Sequence, residues 1–426
     1  MKNPSIRQLR RGNQSTPLGL ALGVALAHLS GLGVLSATAQ DAKLDKIAQE
    51  NLDLRSRLEV LEGVAKKEGI LPSGDSKTKL VSAMSDITIS GFAQASYFYN
   101  TRTPADGASD GYLFNTKDNS FSLNKFKLTI ASKPVATDKW DAGFKASLLL
   151  GEDAPVLNTP GNNSSFNDLR EAYVELNVPV GTGLNIKAGE LISLLNYESG
   201  DGGAANVNFS QGNQWWFTGN GPSAGVQASY NLTEQVGVTL RVDNGLFQGP
   251  VDNNQGKAFS GSINYKPNAK LWANLYFFHD DEPGATDVTG LGSIGGYQVT
   301  EQLGTGYEVD YFHTDAAGAK ADLWSVGGWV WYDFTSKVGV AFRGDYINSP
   351  DGVLGPAVRP SAGIGSSVFA TDPDGDLSSL TLTLNYKPVA SLKIQPEIRF
   401  DHTSFKGGLD GKKDRVIVGV GVTYLF

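Results

Sequence analysis

The chain has 426 residues, no cysteine and a formal net charge of −8. A disulfide framework and a thiolate metal site are therefore excluded. Acidic residues outnumber Lys and Arg by 44 to 36, which argues against a nucleic-acid surface and, if the chain forms a pore, favours cations.

Lys2, Arg7, Arg10 and Arg11 precede an apolar run from Leu18 to Leu35, and Ala37-Thr38-Ala39 supplies a small-x-small cleavage site. Residues 1–39 thus read as a secretory signal, with the mature chain beginning at Gln40. A membrane anchor is the other reading, but the cleavage site follows directly. The signal carries four of the cationic residues and none of the acidic ones, so the mature net charge is −12. Beyond residue 39 no apolar run approaches the length of a spanning helix. A mature chain that crosses a bilayer must then do so as a closed barrel. The 51 Gly, 20 Phe, 15 Tyr and 7 Trp suit glycine-rich loops and aromatic girdles.

Residues 40–68 carry a heptad pattern at Leu44, Ile47, Asn51, Leu54, Leu58 and Leu61, with charged residues between. The pattern predicts a short coiled-coil helix for oligomerisation, most naturally of a homotrimer. A tether to the envelope and a single helix flanking a barrel mouth are the alternatives. Residues 69–85 hold Pro72, Ser73, Gly74, Asp75 and Ser76, a linker.

Residues 86–426 are the candidate β-barrel. Ile87, Ile89, Gly91, Ala93, Ala95, Tyr97 and Tyr99 share one parity, as do Trp140, Ala142, Phe144, Ala146, Leu148 and Leu150. The same alternation marks Val236 to Val242, Val338 to Phe342, Leu380 to Tyr386, and Leu392 to Ile398. Short turns fall at 133–139, 180–183, 231–235, 266–270, 335–337 and 387–391. Long polar segments fall at 101–120, 151–167, 191–214, 245–256, 280–300, 348–377 and 402–414. Outer-membrane barrels place short turns in the periplasm, long loops outside and both ends on one side. An all-β, antiparallel, up-and-down transmembrane barrel of about 16 strands is expected, the count being even. Roughly fifteen strands read unambiguously, and the missing one belongs to 214–218, 286–302 or a break inside 321–333.

Charges occupy the parity opposite the apolar stripe. Lys125, Lys127, Lys145, Glu171, Glu175, Lys187, Arg241, Asp243, Glu308, Asp310, Arg343, Asp345 and Arg399 are the predicted pore-lining set, with Lys393, Glu397, Asp401 and Arg415 on the same parity. Such charges are costly against lipid but tolerated in a hydrated lumen. Solvated sheet charges are the plainer alternative. The glycine-rich segment from Leu191 to Phe217 is a candidate constriction loop, in which Tyr197, Glu198 and Asp201 would face Lys187 and Arg241. An ordinary surface loop is the alternative. Trp215, Trp216 and Phe217 read better as an interfacial girdle than as an aromatic slide for sugars.

The excess acids Asp280, Asp281, Glu282, Asp372, Asp374 and Asp376 are assigned to external loops. Asp372 to Asp376 only superficially resembles a calcium loop, because Gly375 is fourth and Thr383 twelfth. No metal or cofactor is implied. His279, His313 and His402 belong to no His-Glu-x-x-His motif, and no phosphate loop ends in Gly-Lys-Ser/Thr. No enzyme is expected.

The chain closes on Val416 to Phe426 (VIVGVGVTYLF), with Val416, Val418, Val420, Val422, Tyr424 and Phe426 on one parity. This segment resembles the closing strand of bacterial outer-membrane barrels, and the resemblance implies that Phe426 is a signal for the barrel-assembly machinery. Three further stretches resemble a family of bacterial outer-membrane porins called OmpL-like: Leu169 to Leu191 (LREAYVELNVPVGTGLNIKAGEL), Gly221 to Gly245 (GPSAGVQASYNLTEQVGVTLRVDNG) and Trp329 to Asp345 (WVWYDFTSKVGVAFRGD). Glu190 and Leu191 stand where Lys and Phe are usual, Asp345 where Glu is, and the coiled coil is not a fixed part of that family. The resemblance implies passive diffusion through a barrel in the outer membrane of a Gram-negative-type bacterium, with the coiled coil in the periplasm. Outer-membrane lipid and small hydrophilic solutes or ions would be its partners. A structural envelope tether and an adhesion or receptor barrel are the competing functions.

Overall fold

The computed structural model describes residues 87–426 except 110–113, 135, 159–166, 219–220, 247–250, 253–254, 283–285, 317–318, 350–374 and 405–408. The expected signal, coiled coil (Leu44, Ile47, Asn51, Leu54, Leu58, Leu61) and linker lie outside the described residues, as do Asp372 and Asp374.

Sixteen strands form one closed antiparallel barrel in which each strand pairs with its sequence neighbours. They are β1 (Thr88–Asn100), β2 (Ser120–Ser132), β3 (Asp141–Leu150), β4 (Leu169–Val178), β5 (Leu184–Leu191), β6 (Ser223–Asn231), β7 (Val236–Asp243) and β8 (Ala258–Tyr265). The second half comprises β9 (Leu271–Glu282), β10 (Thr286–Gln298), β11 (Leu303–Ala316), β12 (Ala319–Asp333), β13 (Val338–Ser349), β14 (Gly375–Val389), β15 (Leu392–Thr403) and β16 (Asp414–Leu425). The seam joins β1 to β16 from Phe92↔Leu425 to Asn100↔Ile417. Gly91 and Phe426 extend it by exchanging backbone hydrogen bonds of 2.9 and 3.0 Å.

Alternation decides which way each strand faces. Leu148, Leu150, Leu240, Leu382, Leu384 and Ile398 point outward and are exposed, whereas the charged parity points into the barrel. In β2 the parity changes sides at a register shift opposite Gln94/Ala95. Phe121 and Leu123 are therefore outward before it and Phe126 and Ile130 after it, while Lys125 and Lys127 stay buried inside. At one rim the tight turns repeat a local device. Thr233, Thr300 and Thr335 each accept hydrogen bonds from the backbone N–H groups two and three residues on, and Asn268 does the same.

One expectation is corrected. Residues 280–300 are not one long loop: Asp280, Asp281 and Glu282 end β9, and 286–298 are β10, the missing strand. Residues 214–218 lie in a helix and 321–333 form part of a single strand. Glycines hide β10's alternation, and the structure requires them. A Cβ at Gly290, Gly292 or Gly296 would come within 2.2, 2.4 or 2.6 Å of Phe278, Tyr276 or Trp272. The inward aromatic side chains of β9 thus lie across the inner face of β10, while on the outer face Tyr307 of β11 covers Gly295. Asp280 is likewise no loop acid; it is buried and accepts a 2.8 Å hydrogen bond from Leu246 N. Asp376 belongs to β14.

Candidate functional site

A single row of inward-facing positions crosses the barrel wall, from Trp272 near the start of β9 to the middle of β13 and β14: Trp272, Gly296, Gly306, Trp329, Arg343, Thr381 and Arg399, each directly opposite the next. Against this row packs the long connection from β5 to β6, which enters the lumen. It contains a 3-10 turn at Gly202–Ala204 and the helix Asn213–Thr218 (α2; α1 is Ala154–Leu157 in the β3–β4 connection).

The docking begins at Tyr197. Two adjacent glycines leave a bay between Trp272 and Trp329, and the phenol ring occupies it. Its ring centroid lies 5.9 Å from Trp272, with planes 3° apart, and 4.4 Å from Trp329. Tyr197 N donates to Glu308 at 3.1 Å. Burial, followed by the nearby Glu198 and Glu308, pushes the Tyr197 phenol up to about 12, so it stays neutral. Beside it, Glu198 pairs with Arg343 at 2.9 Å and accepts hydrogen bonds from Trp329 Nε1 at 3.2 Å and Gly212 N at 2.6 Å. Arg343 also donates to the Ser210 carbonyl and, through Nη2, to Ser210 Oγ at 3.2 Å and Thr381 Oγ1 at 2.9 Å. Asp201 pairs with Lys127 at 2.8 Å.

Further along, Glu397 accepts from Phe209 N at 3.0 Å and from the Ser210 hydroxyl. Arg399 donates to the Gln211 carbonyl at 2.8 Å and to Asn213 Oδ1 at 2.6 Å. Lys393 holds the carbonyls of Gly203 and Asn206 at 2.5 and 3.0 Å. Gln214 in α2 donates to Asp310 at 2.8 Å. A connection with this many buried charge-assisted bonds is fixed to the wall.

Above this layer, Trp215, Phe217, Leu195, Leu157 and Phe114 pack with inward-facing Phe278, Phe312 and Leu323 in one buried apolar cluster. Trp215 stacks edge-on against Phe114 at 4.9 Å. Trp215 and Phe217 therefore belong to the interior and not to an interfacial girdle. The girdle reading fails because the helix carrying them folds inward with its connection. In the β3–β4 connection, Asp153 pairs with Lys125 at 3.2 Å, and burial pushes its carboxyl up against the pull of that lysine.

The anticipated pore-lining residues all sit on the inner face but divide into two groups. Lys127, Glu308, Asp310, Arg343 and Arg399 hold the inward connection directly; Asp345 lies beside Arg343 and accepts from Ser379 Oγ at 2.6 Å. On the other wall, Lys145 pairs with Glu171 at 2.7 Å and Lys187 with Glu175 at 3.8 Å. Arg241 donates to Gln227 at 2.8 Å and stands 4.0 Å from Asp243. Lys145 and Lys187 are the open ones, each 26% exposed, with Glu175 at 14%. Lys187 also lies over the Tyr173 ring at 4.9 Å.

Tyr197, Glu198 and Asp201 thus enter the lumen, but their partners are not Lys187 and Arg241. The connection crosses from β5 to the stretch of wall that runs from β9 through β16 to β2, where Arg343 of β13 and Lys127 of β2 meet it. Sequence reasoning missed Trp272, Trp329 and the Gly296–Gly306 bay. The available signal was a tryptophan on the inward parity: Trp329 shares it with Ser325 and Gly327, opposite outward Val326 and Val330.

A Gly-x-Ser-x-Gly pentapeptide does occur at residues 221–225, but Ser223 opens β6 opposite Leu191. A nucleophile elbow needs a strand-to-helix turn instead.

Residues 86–426 match the family model described as "Putative beta-barrel porin-2, OmpL-like". No protein of curated function matches the chain in sequence. Among solved structures, an anion-selective porin from Comamonas acidovorans aligns at TM-score 0.53 and 13% identity, over 80% of this chain and 99% of the other. OmpT of Vibrio cholerae in its trimer form aligns at TM-score 0.54 and 12% identity, over 80% and 99%. OprB of Pseudomonas putida aligns at TM-score 0.53 and 13% identity, over 83% and 97%. At these identities the likeness is one of fold.

Proposed function

The chain belongs to the OmpL-like β-barrel porin family of the outer membrane, and from that premise we propose how it conducts. Small hydrophilic solutes and ions diffuse passively down their gradients through an off-centre path between the inward connection and the β3–β8 wall. One observation carries this reading: the connection is bonded to the wall from β9 through β16 to β2, while Lys145, Glu175 and Lys187 on the remaining wall keep partial access to water. Family and fold are those of a channel rather than an enzyme.

The purified protein in a planar bilayer should give stepwise conductance, and a folded preparation that gives none would refute the proposal. A reversal potential under a salt gradient then reads the charge preference.

We further propose a homotrimer in which the periplasmic helix 40–68 contributes to assembly through Leu44, Ile47, Leu54, Leu58 and Leu61. Support comes from that heptad and from the trimer form of the structurally similar OmpT. Deleting residues 41–68 should convert trimer to monomer with conductance retained per barrel. Unchanged oligomer size would remove the helix from assembly.

A further inference from the structure

We propose that the inner face from β6 to β9 is a binding track for neutral carbohydrate, with Trp272 as its aromatic surface and Tyr197 as the ring that braces it; this rests on the open-pore reading above. The two rings are parallel to within 3° and offset, with centroids 5.9 Å apart. Trp272 is only partly buried, whereas the Tyr197 ring lies between Trp272 and Trp329. Neither is a loose side chain. Trp272 lies across Gly296, and Tyr197 is fixed by Trp329 and by its backbone bond to Glu308.

Beside Trp272, Asn264 stands opposite Asn274 on the neighbouring inward positions. From Asn264 a chain of uncharged groups runs along the wall. Asn264 bonds to Thr239 at 3.4 Å, Thr239 to Ser229 at 3.1 Å, and Ser229 to Gln227 at 3.4 Å. Amides and hydroxyls both donate and accept, as sugar hydroxyls do, whereas a carboxylate only accepts and a lysine only donates. A pyranose ring combines such a hydroxyl belt with an apolar C–H face. An aromatic surface next to an amide–hydroxyl wall matches both surfaces, which is the usual logic of an orienting small-molecule site. An inorganic ion would make no use of the indole of Trp272 beside the amide–hydroxyl wall.

The experiment uses the full-length protein in planar bilayers with maltotriose as the probe. Maltotriose should interrupt the current in a concentration-dependent way, and sorbitol, which has hydroxyls but no ring face, should do so far less. Relative to each variant's own sugar-free current, Trp272→Ala should weaken the block by roughly threefold to tenfold, and Trp272→Phe should restore most of it. A conducting channel that maltotriose never interrupts would overturn the proposal, as would equal block in Trp272→Ala. Interruption by benzamide without interruption by maltotriose would also overturn it, in favour of an aromatic solute. Absence of all conductance would count against the porin reading instead, and quenching of tryptophan fluorescence by maltotriose in detergent would still test the track.

Discussion

The phenol ring of Tyr197 occupies the space over Gly306 in which a side chain would otherwise stand: a Cβ there would lie 2.1 Å from the ring. One glycine in the barrel wall thus decides where a connection more than a hundred residues earlier comes to rest.

Gly306→Leu should therefore expel the ring from its bay. The wall and Trp329 block every direction but the open lumen, so the connection moves toward the permeation path. Single-channel conductance should fall and become noisier, with an overpacking cost of about 1–3 kcal/mol in unfolding. Unchanged conductance would mean that the ring does not hold the connection.

Arg343 and Glu198 form a fully buried pair at 2.9 Å. Removing one partner leaves an uncompensated charge in the interior, so Arg343→Ala should destabilise the barrel by about 3–5 kcal/mol. Removing both should cost less than the sum of the single changes. A double-mutant cycle on denaturant unfolding in micelles measures the coupling, and strict additivity would contradict the pairing.

Much of this was legible before the fold was known, and what escaped has a physical reason. The outward faces of β3, β7, β14 and β15 follow directly from alternation, because each strand carries its own apolar side chains. β10 escaped because its outward parity (Asp287, Thr289, Leu291, Ser293, Gly295, Tyr297) carries few apolar side chains, and its inward glycines make room for Phe278, Tyr276 and Trp272 of β9. Length and glycine content marked the connection as unusual but left a lumen-entering loop and a surface loop both open. Its partners were not legible, because the crossing from β5 to Arg343 depends on barrel geometry, while Lys187 and Arg241 are merely nearer in sequence.

The absence of native cysteine allows a direct test of whether the connection moves during conduction. Asn208 Nδ2 donates to Thr383 Oγ1 at 2.7 Å, linking the connection to β14. A protein carrying Asn208→Cys and Thr383→Cys should form a disulfide on oxidation and conduct the same current before and after. A current that drops on oxidation and recovers with reductant would show that the conducting state needs the connection released.

Charge preference should be set by the lumen charges that water still reaches. Coulomb interaction with a passing ion is weak across a neutralised, buried pair and stronger beside a partly hydrated cation. Lys145 and Lys187 are each 26% exposed, whereas Arg343 is enclosed with Glu198 and Asp345. Changing both lysines to glutamine removes two positive charges from the open wall, leaving Glu175 without its cation and Glu171 with Lys127 at 3.9 Å alone. The reversal potential under a salt gradient should therefore shift toward cations. The shift should shrink as ionic strength rises and the Debye length falls from about 10 Å at 0.1 M to about 3 Å at 1 M. Arg343→Gln, made as the control, should lower stability while moving the reversal potential much less. If the control shifts selectivity as strongly as the lysine pair, ions pass along the β12–β15 wall and the off-centre path is wrong.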